Sequence, residues 1–347
     1  VPSIPYALDA ATLEHLTNAY RVDVGSGLHV SYLDAGLMNH NWRLTTPDGT
    51  RYALKQLLDV PLPEARRNLN VLAALHKSGL PTSQPLTDAT GDHVVETGGH
   101  GYCLMTWIDG THPEGTQLTV DQAHQLGRVV GQTQIALNQL DPGLGLHPPT
   151  HAPTTKNASP EQAVARAHHY ITAATNSGTA FDQAIIDSLT RRIALIKRHT
   201  ADQPAGQANL GPYGWTHGDL QHRNILWSDG QIAGIIDWDR IRVRSFAEEA
   251  ARTATIQFAT HDDIDLERVA AFATGYRTVI EIADHELADS LHRLWWKRLT
   301  DFWHLDLHYN RNDTSCDDLF FTGEHTLTWW TEHQRQLETL FTSNGSA

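Results

Sequence analysis

The chain has 347 residues, 40% hydrophobic and 19% charged, with a formal net charge of −14 at neutral pH. That is the composition of an ordinary globular protein long enough for two lobes. The acidity argues against a nucleic-acid surface, which needs clustered Lys and Arg, and no apolar run nears the ~20 residues of a membrane span.

From the N-terminus, Asp9 to Tyr20 reads as a helix capped by Asp9, with Leu13, Leu16 and Tyr20 on one face. The period then shifts towards two. Leu28–Leu33, Trp42–Thr46 and Arg51–Leu57 read as strands, the last two joined by the turn Pro47-Asp48-Gly49-Thr50. Leu62–Ser78 is expected to be a helix, with Leu69, Leu72, Ala73 and Leu75 as its apolar stripe and Gly79-Leu80-Pro81 as its stop. Two further strands, His93–Glu96 and Gly101–Ile108, complete a strand-rich lobe over residues 1–108. Residues 109–347 are mainly helical: Val120–Leu140, a helix opened by Ser159-Pro160-Glu161, Phe181–His199, Ala247–Thr260, Asp265–Ala283, His285–Leu305 and Thr326–Ser343.

The chemistry is concentrated in His217-Gly218-Asp219-Leu220-Gln221-His222-Arg223-Asn224 and in Asp237-Trp238-Asp239. Ile225–Trp227, a turn at Asp229-Gly230 and Ile232–Ile236 form a hairpin that folds Asp237 back beside Asn224. One carboxylate then stands alone while an Asn and a second Asp are able to share a cation. Phosphoryl transfer needs that division, with one group orienting a hydroxyl and two oxygen ligands holding magnesium against phosphates. Upstream, Gly36-Leu37-Met38-Asn39-His40-Asn41 lies between paired strands, where backbone N–H groups can approach phosphate oxygens, and Lys55 lies on the strand that follows.

On these residues, with Tyr52-Ala53-Leu54-Lys55 and Leu104-Met105-Thr106-Trp107-Ile108-Asp109-Gly110 in support, the chain resembles the aminoglycoside phosphotransferase and choline kinase-like family. The resemblance runs across nearly the whole chain. It implies an α+β, two-lobed, protein-kinase-like fold: an antiparallel-sheet N-lobe with one long helix, and a mainly helical C-lobe. It further implies that Asp219 is the catalytic base, that Asn224 and Asp237 hold magnesium, and that Lys55 contacts the phosphates of ATP, with GTP left open. Gly36 and Asn39 would cover the phosphates, and Thr106 and Ile108 would offer backbone groups to the base. His217 would brace the loop. Asp239 would either line the acceptor site or pair with Arg240 or Arg242.

Kinases of this fold usually pair the strand lysine with a glutamate on the next helix, and here that position falls at about Asn68, with Glu64 one turn earlier. After Asp237 there is neither a long activation segment nor an Ala-Pro-Glu signal, which favours a small-molecule hydroxyl acceptor over a peptide. The acidity leaves room for a cationic acceptor. Trp296, Thr300 and Trp303 share one face of an expected helix, with Asp301 nearby, and an aromatic wall with a carboxylate is one way to hold an amine or a sugar ring. Core packing is the plainer role for those residues. His304 and His308 have metal-ligand spacing without an evident third ligand. A nucleotide-binding pseudokinase and a metal-dependent hydrolase using His217, Asp219 and Asp237 are the competing functions. Neither a nucleic-acid nor a membrane partner is expected. Val1-Pro2-Ser3-Ile4-Pro5 lacks the pattern of a signal peptide, and Cys103 and Cys316 read as idle thiols, so a cytoplasmic location is expected.

Overall fold

A computed structural model describes residues 8–25, 27–34, 38–153, 157–205, 211–261 and 263–342. The chain opens with helix α1 (Ala10–Ala19), whose Asp9 cap accepts the Thr12 amide at 2.8 Å. Strands β1 (His29–Leu33), β2 (His40–Thr45) and β3 (Arg51–Leu57) follow, then helix α2 (Leu62–Lys77), β4 (Val95–Thr97) and β5 (His100–Thr106). These strands make one antiparallel sheet in the order β1-β2-β3-β5-β4. The remainder is mainly helical, as the composition of 109–347 implied, so the molecule is α+β.

Alternation along the strands decides what each face of the sheet does. Trp42, Leu44, Leu54 and Leu104 bury themselves with Leu16 of α1 and Tyr20 just after it. Each such side chain contributes roughly 1.5–3 kcal/mol by leaving water. The Tyr20 hydroxyl is satisfied there, donating to the carbonyls of His93 and Tyr102 at 2.9 Å. Lys55, one residue on from Leu54, belongs to the opposite face by the pleat and is also buried. Helix α2 buries Ala65, Leu69, Val71, Leu72 and Leu75, and among them one polar residue, Asn68. It stops at Gly79, whose φ of +90° suits the residue that ends a helix.

After β5 come α3 (Val120–Asn138), α4 (Pro160–Ser177), α5 (Ala180–Arg198) and β6 (Tyr213–Thr216). The hairpin β7 (Ile225–Ser228) and β8 (Gln231–Ile235) turns at Asp229 and Gly230, with φ of +50° and +76°, the double positive φ of a tight hairpin turn. The chain ends through β9 (Arg242–Ser245), α6 (Phe246–Gln257), α7 (Leu266–Arg277), α8 (Asp284–Thr300), the short α9 (Trp303–Leu305) and α10 (Asp317–Thr342). Two compact units result. The first holds the chain up to Pro113 with Gln132–Pro149 and Gly214–Val243, and the second holds Glu114–Gly131, Thr150–Tyr213 and the chain from Arg244 onward. The motif segment thus groups with the sheet, whereas a division of the chain at 108/109 assigns it to the helical lobe. Within the second unit α3 and α7 approach backbone to backbone: a Cβ on Gly127 would lie 2.0 Å from the Phe272 oxygen, and one on Gly275 2.0 Å from the His124 oxygen.

One expectation is corrected here. The tryptophan-rich helix ends at Thr300 instead of continuing to Leu305, because Asp301 is extended (φ −100°, ψ 140°) and Phe302 leaves the helical region. Tertiary contacts hold the break: Arg192 donates to the Asp301 carbonyl at 2.8 Å and stacks over the Phe302 ring at 5.1 Å. Trp296 is fully buried, its indole N–H donating to Ala158 O at 3.0 Å, while Trp303 lies past the break, exposed and stacked on His304. The two rings do not share a helical face, so no aromatic wall forms from 296, 300 and 303. His304 and His308 do not make a metal pair either: His308 is bonded to Asp317, and no cluster of three potential His, Cys, Asp or Glu ligands occurs among the described residues. Cys103 and Cys316 are free and buried, and burial pushes the Cys103 thiol up to about 12. No described helix is long and apolar enough to cross a membrane.

Candidate active site

Strand β6 delivers the chain into the motif loop through His217, which is wholly buried. Its Nε2 donates to the Ile236 carbonyl at 3.0 Å, so Nδ1 carries the lone pair and accepts the Asp219 amide at 3.3 Å. The imidazole also lies 4.5 Å from the Trp238 ring. It therefore ties the loop to the end of the hairpin's return strand, the bracing role expected of it. Gly218 has φ +84°, and a Cβ there would sit 2.0 Å from the carbonyl oxygen of Arg240. Glycine is required twice at this position, for the backbone conformation and for the space. The Asp219 carboxylate is held through Oδ2, which accepts from Gln221 Nε2 at 3.2 Å and Asn224 Nδ2 at 3.3 Å. The same Asn224 nitrogen donates to the Asp219 carbonyl at 2.8 Å, so its amide oxygen is the atom left to act as a ligand.

The hairpin does what its spacing predicts. Ile225 pairs with Ile235, and the Ile236 amide donates to Asn224 O at 3.0 Å, so Asp237 follows directly beside Asn224. Asp237 adopts φ +63°, ψ +64°, a left-handed conformation that Asp tolerates better than most residues and that costs on the order of 1 kcal/mol. Its Oδ1 accepts from Lys55 Nζ at 2.8 Å, and Asp239 Oδ2 accepts from the same nitrogen at 2.7 Å. Burial alone would lower the Lys55 pKa, but the two carboxylates outweigh it and hold the ammonium charged well above the usual lysine range. In turn, burial favours neutral Asp237, and Lys55 prevails, keeping that carboxyl below its ordinary value.

The Asp239 carboxylate faces Lys55 and Asn39, while Arg240 pairs with Asp59 at 2.7 Å and Arg242 donates to Gly218 O. Glu64 does not take the missing glutamate's place, since its partner is Arg67 at 3.3 Å. Asn68 is buried and donates to the Asp239 carbonyl at 3.1 Å, while its own oxygen accepts from Arg67 at 2.8 Å. Asn39, expected over the phosphates, is buried with both side-chain polar atoms engaged: Nδ2 donates to Asp239, and Oδ1 accepts the amides of Leu58 and Asp59 at 2.8 and 3.1 Å. The expectation for Gly36 lies outside the described residues.

At the end of β5 the two backbone positions differ. The Thr106 amide already donates to Gln84 O at 2.9 Å, which removes it as a donor to a ligand. Ile108 lies past the strand, and among the described residues no hydrogen bond engages its backbone. Trp296, Asp301 and Trp303 belong to the second compact unit, and the three are not brought onto one surface there. Two supporting residues escaped the sequence reading. His112 donates from Nδ1 to the carbonyls of His222 (3.2 Å) and Ile225 (3.0 Å), and Arg67 reaches Ile241 O. Gly110 and the Asp-Gly-Thr run were the available signal for His112, because Thr111 pairs with Trp227 and so brings the chain against the hairpin.

The donor set suits a hard divalent cation. An Asn amide oxygen and an Asp carboxylate, brought together by the hairpin, are oxygen ligands of the kind Mg²⁺ takes alongside water and phosphate. A buried, permanently charged lysine beside them suits phosphate oxygens.

The chain is similar to several known kinases and phosphotransferases. A homoserine kinase of Gluconobacter oxydans (strain 621H) is 22% identical over 285 residues, covering 81% of this chain and 82% of that protein. A spectinomycin phosphotransferase, solved with ADP and spectinomycin, superposes with a TM-score of 0.66 at 17% identity over 95% of this chain and all of that one. An amicoumacin kinase, solved with AMP-PNP, Ca²⁺ and amicoumacin, superposes at 0.60 with 16% identity over 96% of this chain and 93% of the other. These structures share the kinase-like phosphotransferase fold. Residues 29–288 match the profile of the phosphotransferase enzyme family, and the chain belongs to that family.

Proposed function

We propose that this small-molecule phosphotransferase moves the γ-phosphoryl group of ATP, with magnesium, to a hydroxyl of a small polar acceptor. The observation that carries the reading is the convergence of Asp219, Asn224, Asp237 and Lys55 through one hairpin and one strand. Nucleotide and metal, when bound, would supply the phosphoryl group and the charge that bridges its oxygens. The chain's own part is then positioning and electrostatics. Asp219 orients the acceptor hydroxyl and takes its proton, with Oδ2 fixed by Gln221 and Asn224 so that the carboxylate does not wander. Asn224 and Asp237 would hold the magnesium. Lys55 presents its ammonium to phosphate oxygens, and the unengaged Ile108 backbone is suited to the nucleobase.

The three relatives are named for homoserine, spectinomycin and amicoumacin, compounds different enough that the acceptor is proposed only as a class. The protein's acidity favours a member of that class bearing a positive charge. The test is a panel of hydroxyl-bearing metabolites and antibiotics scored for acceptor-dependent ADP release with Mg·ATP. Asp219→Asn should lower kcat by at least ~10³-fold while Mg·ATP affinity stays within about twofold. Retention of full turnover by that variant would overturn the assignment of the base.

A further inference from the structure

We propose that Asp239 is the positioning residue for Lys55, doing from the segment after the hairpin what a glutamate on the helix after the lysine strand does in related kinases. This rests on the phosphotransferase reading above and extends it to a residue with no contact to the reacting atoms.

Two carboxylates hold the lysine, but their settings differ. The Asp237 side chain is 43% exposed and is the one proposed to serve a metal as well. The Asp239 side chain is 13% exposed and points its Oδ2 at Lys55 and Asn39. A cation drawing on Asp237 would weaken that carboxylate's hold on the ammonium, because one negative charge would be shared between two positive ones. Asp239, the less exposed of the two and held by Asn39, is the carboxylate better placed to keep the ammonium in position.

Asp239 is itself fixed from two directions. Asn39, just before β2, donates to its carboxylate at 2.9 Å and is in turn held by the Leu58 and Asp59 amides just past β3. Asn68 of α2 donates to its backbone carbonyl at 3.1 Å, and the Trp238–Arg240 turn packs on that helix. The Asn68 oxygen is committed to Arg67. An asparagine therefore suits the position where a glutamate was expected. Its carboxamide holds the segment that carries the charge, whereas a second carboxylate there would face the Asp239 carbonyl without a proton to donate.

The experiment measures Mg·ATP binding by calorimetry and, separately, steady-state kinetics with a competent acceptor, for wild type, Asp239→Asn and Asp239→Glu. Asp239→Asn should weaken Mg·ATP binding and raise its KM by tenfold or more, with the acceptor KM within twofold of wild type. Asp239→Glu, which keeps the charge, should recover most of that loss. A merely structural role would lower the folded fraction and kcat alone, and would not shift nucleotide affinity. Unchanged Mg·ATP affinity in Asp239→Asn, or equal loss in Asp239→Glu, overturns the proposal. If no acceptor is phosphorylated but the calorimetric pattern holds, the phosphotransfer reading falls and the lysine clamp stands. If wild type binds neither Mg·ATP nor Mg·GTP, both fall.

Discussion

Replacing Gly218 by alanine tests how tightly the motif loop is tied to the segment after the hairpin. The perturbation is one methyl group placed 2.0 Å from the Arg240 carbonyl oxygen, where an unstrained contact needs well over 3 Å, so one side must retreat by about 1 Å. Neither side is free to do so. The Arg240 side chain is paired with Asp59, and the loop is pinned by His217 to Ile236 and by Asn224 to Asp219. The φ of +84° adds a left-handed penalty of roughly 1–2 kcal/mol, and overpacking adds roughly 1–3 kcal/mol, for a total near 2–5 kcal/mol. Because Asp219 is the next residue, a displacement of about 1 Å also reaches the proposed base, and misplacement on that scale can lower the rate by about 10²-fold. Urea unfolding measures the first effect and acceptor-dependent ADP release on the folded protein measures the second. A Gly218→Ala variant within about 0.5 kcal/mol of wild type, and with unchanged kcat, would refute the reasoning.

Two further predictions concern the helical unit. Alanine at Gly127 would ordinarily stabilise a mid-helix position by about 0.5–1 kcal/mol, but its Cβ would meet the Phe272 oxygen at 2.0 Å and the Tyr276 nitrogen at 2.8 Å. A net loss of about 2 kcal/mol is expected in urea unfolding, and a stabilised variant would contradict the backbone-to-backbone packing of α3 on α7. His304 is lowered to about 4 by burial and then by Arg192 and Arg298. As pH falls the unfolded chain protonates first, near 6.5. This histidine's contribution is therefore complete above about 6.5 and lost towards 4, a loss on the order of 2–3 kcal/mol. His304→Gln should flatten the acid limb of stability between pH 7 and 4.5, and an unaltered slope would show that His304 does not titrate as its setting requires.

The sequence by itself determined the elements and the chemical motif, because both are written in short-range pattern. Period two marked β1 to β3, apolar spacing marked α2, and Asp229-Gly230 marked the turn that lays Asp237 beside Asn224. Asp9 and Ser159 named their own helix starts, since capping depends on a side chain and an amide three residues on. Packing decided the rest. The helix expected through Trp303 stops at Thr300 because Arg192, remote in sequence, takes the Asp301 carbonyl and the Phe302 ring. Asn39 faces inward, although a loop between strands gave it equal licence to face a phosphate. The partner of Lys55 was the question least answerable from sequence. Glu64 and Asn68 were the near candidates on α2, while the carboxylates that meet the ammonium are 182 and 184 residues away and arrive only when the hairpin and the helix pack together. Ion pairing between distant segments leaves no periodicity to read, and that is why the donor machinery was legible while its internal bracing was not.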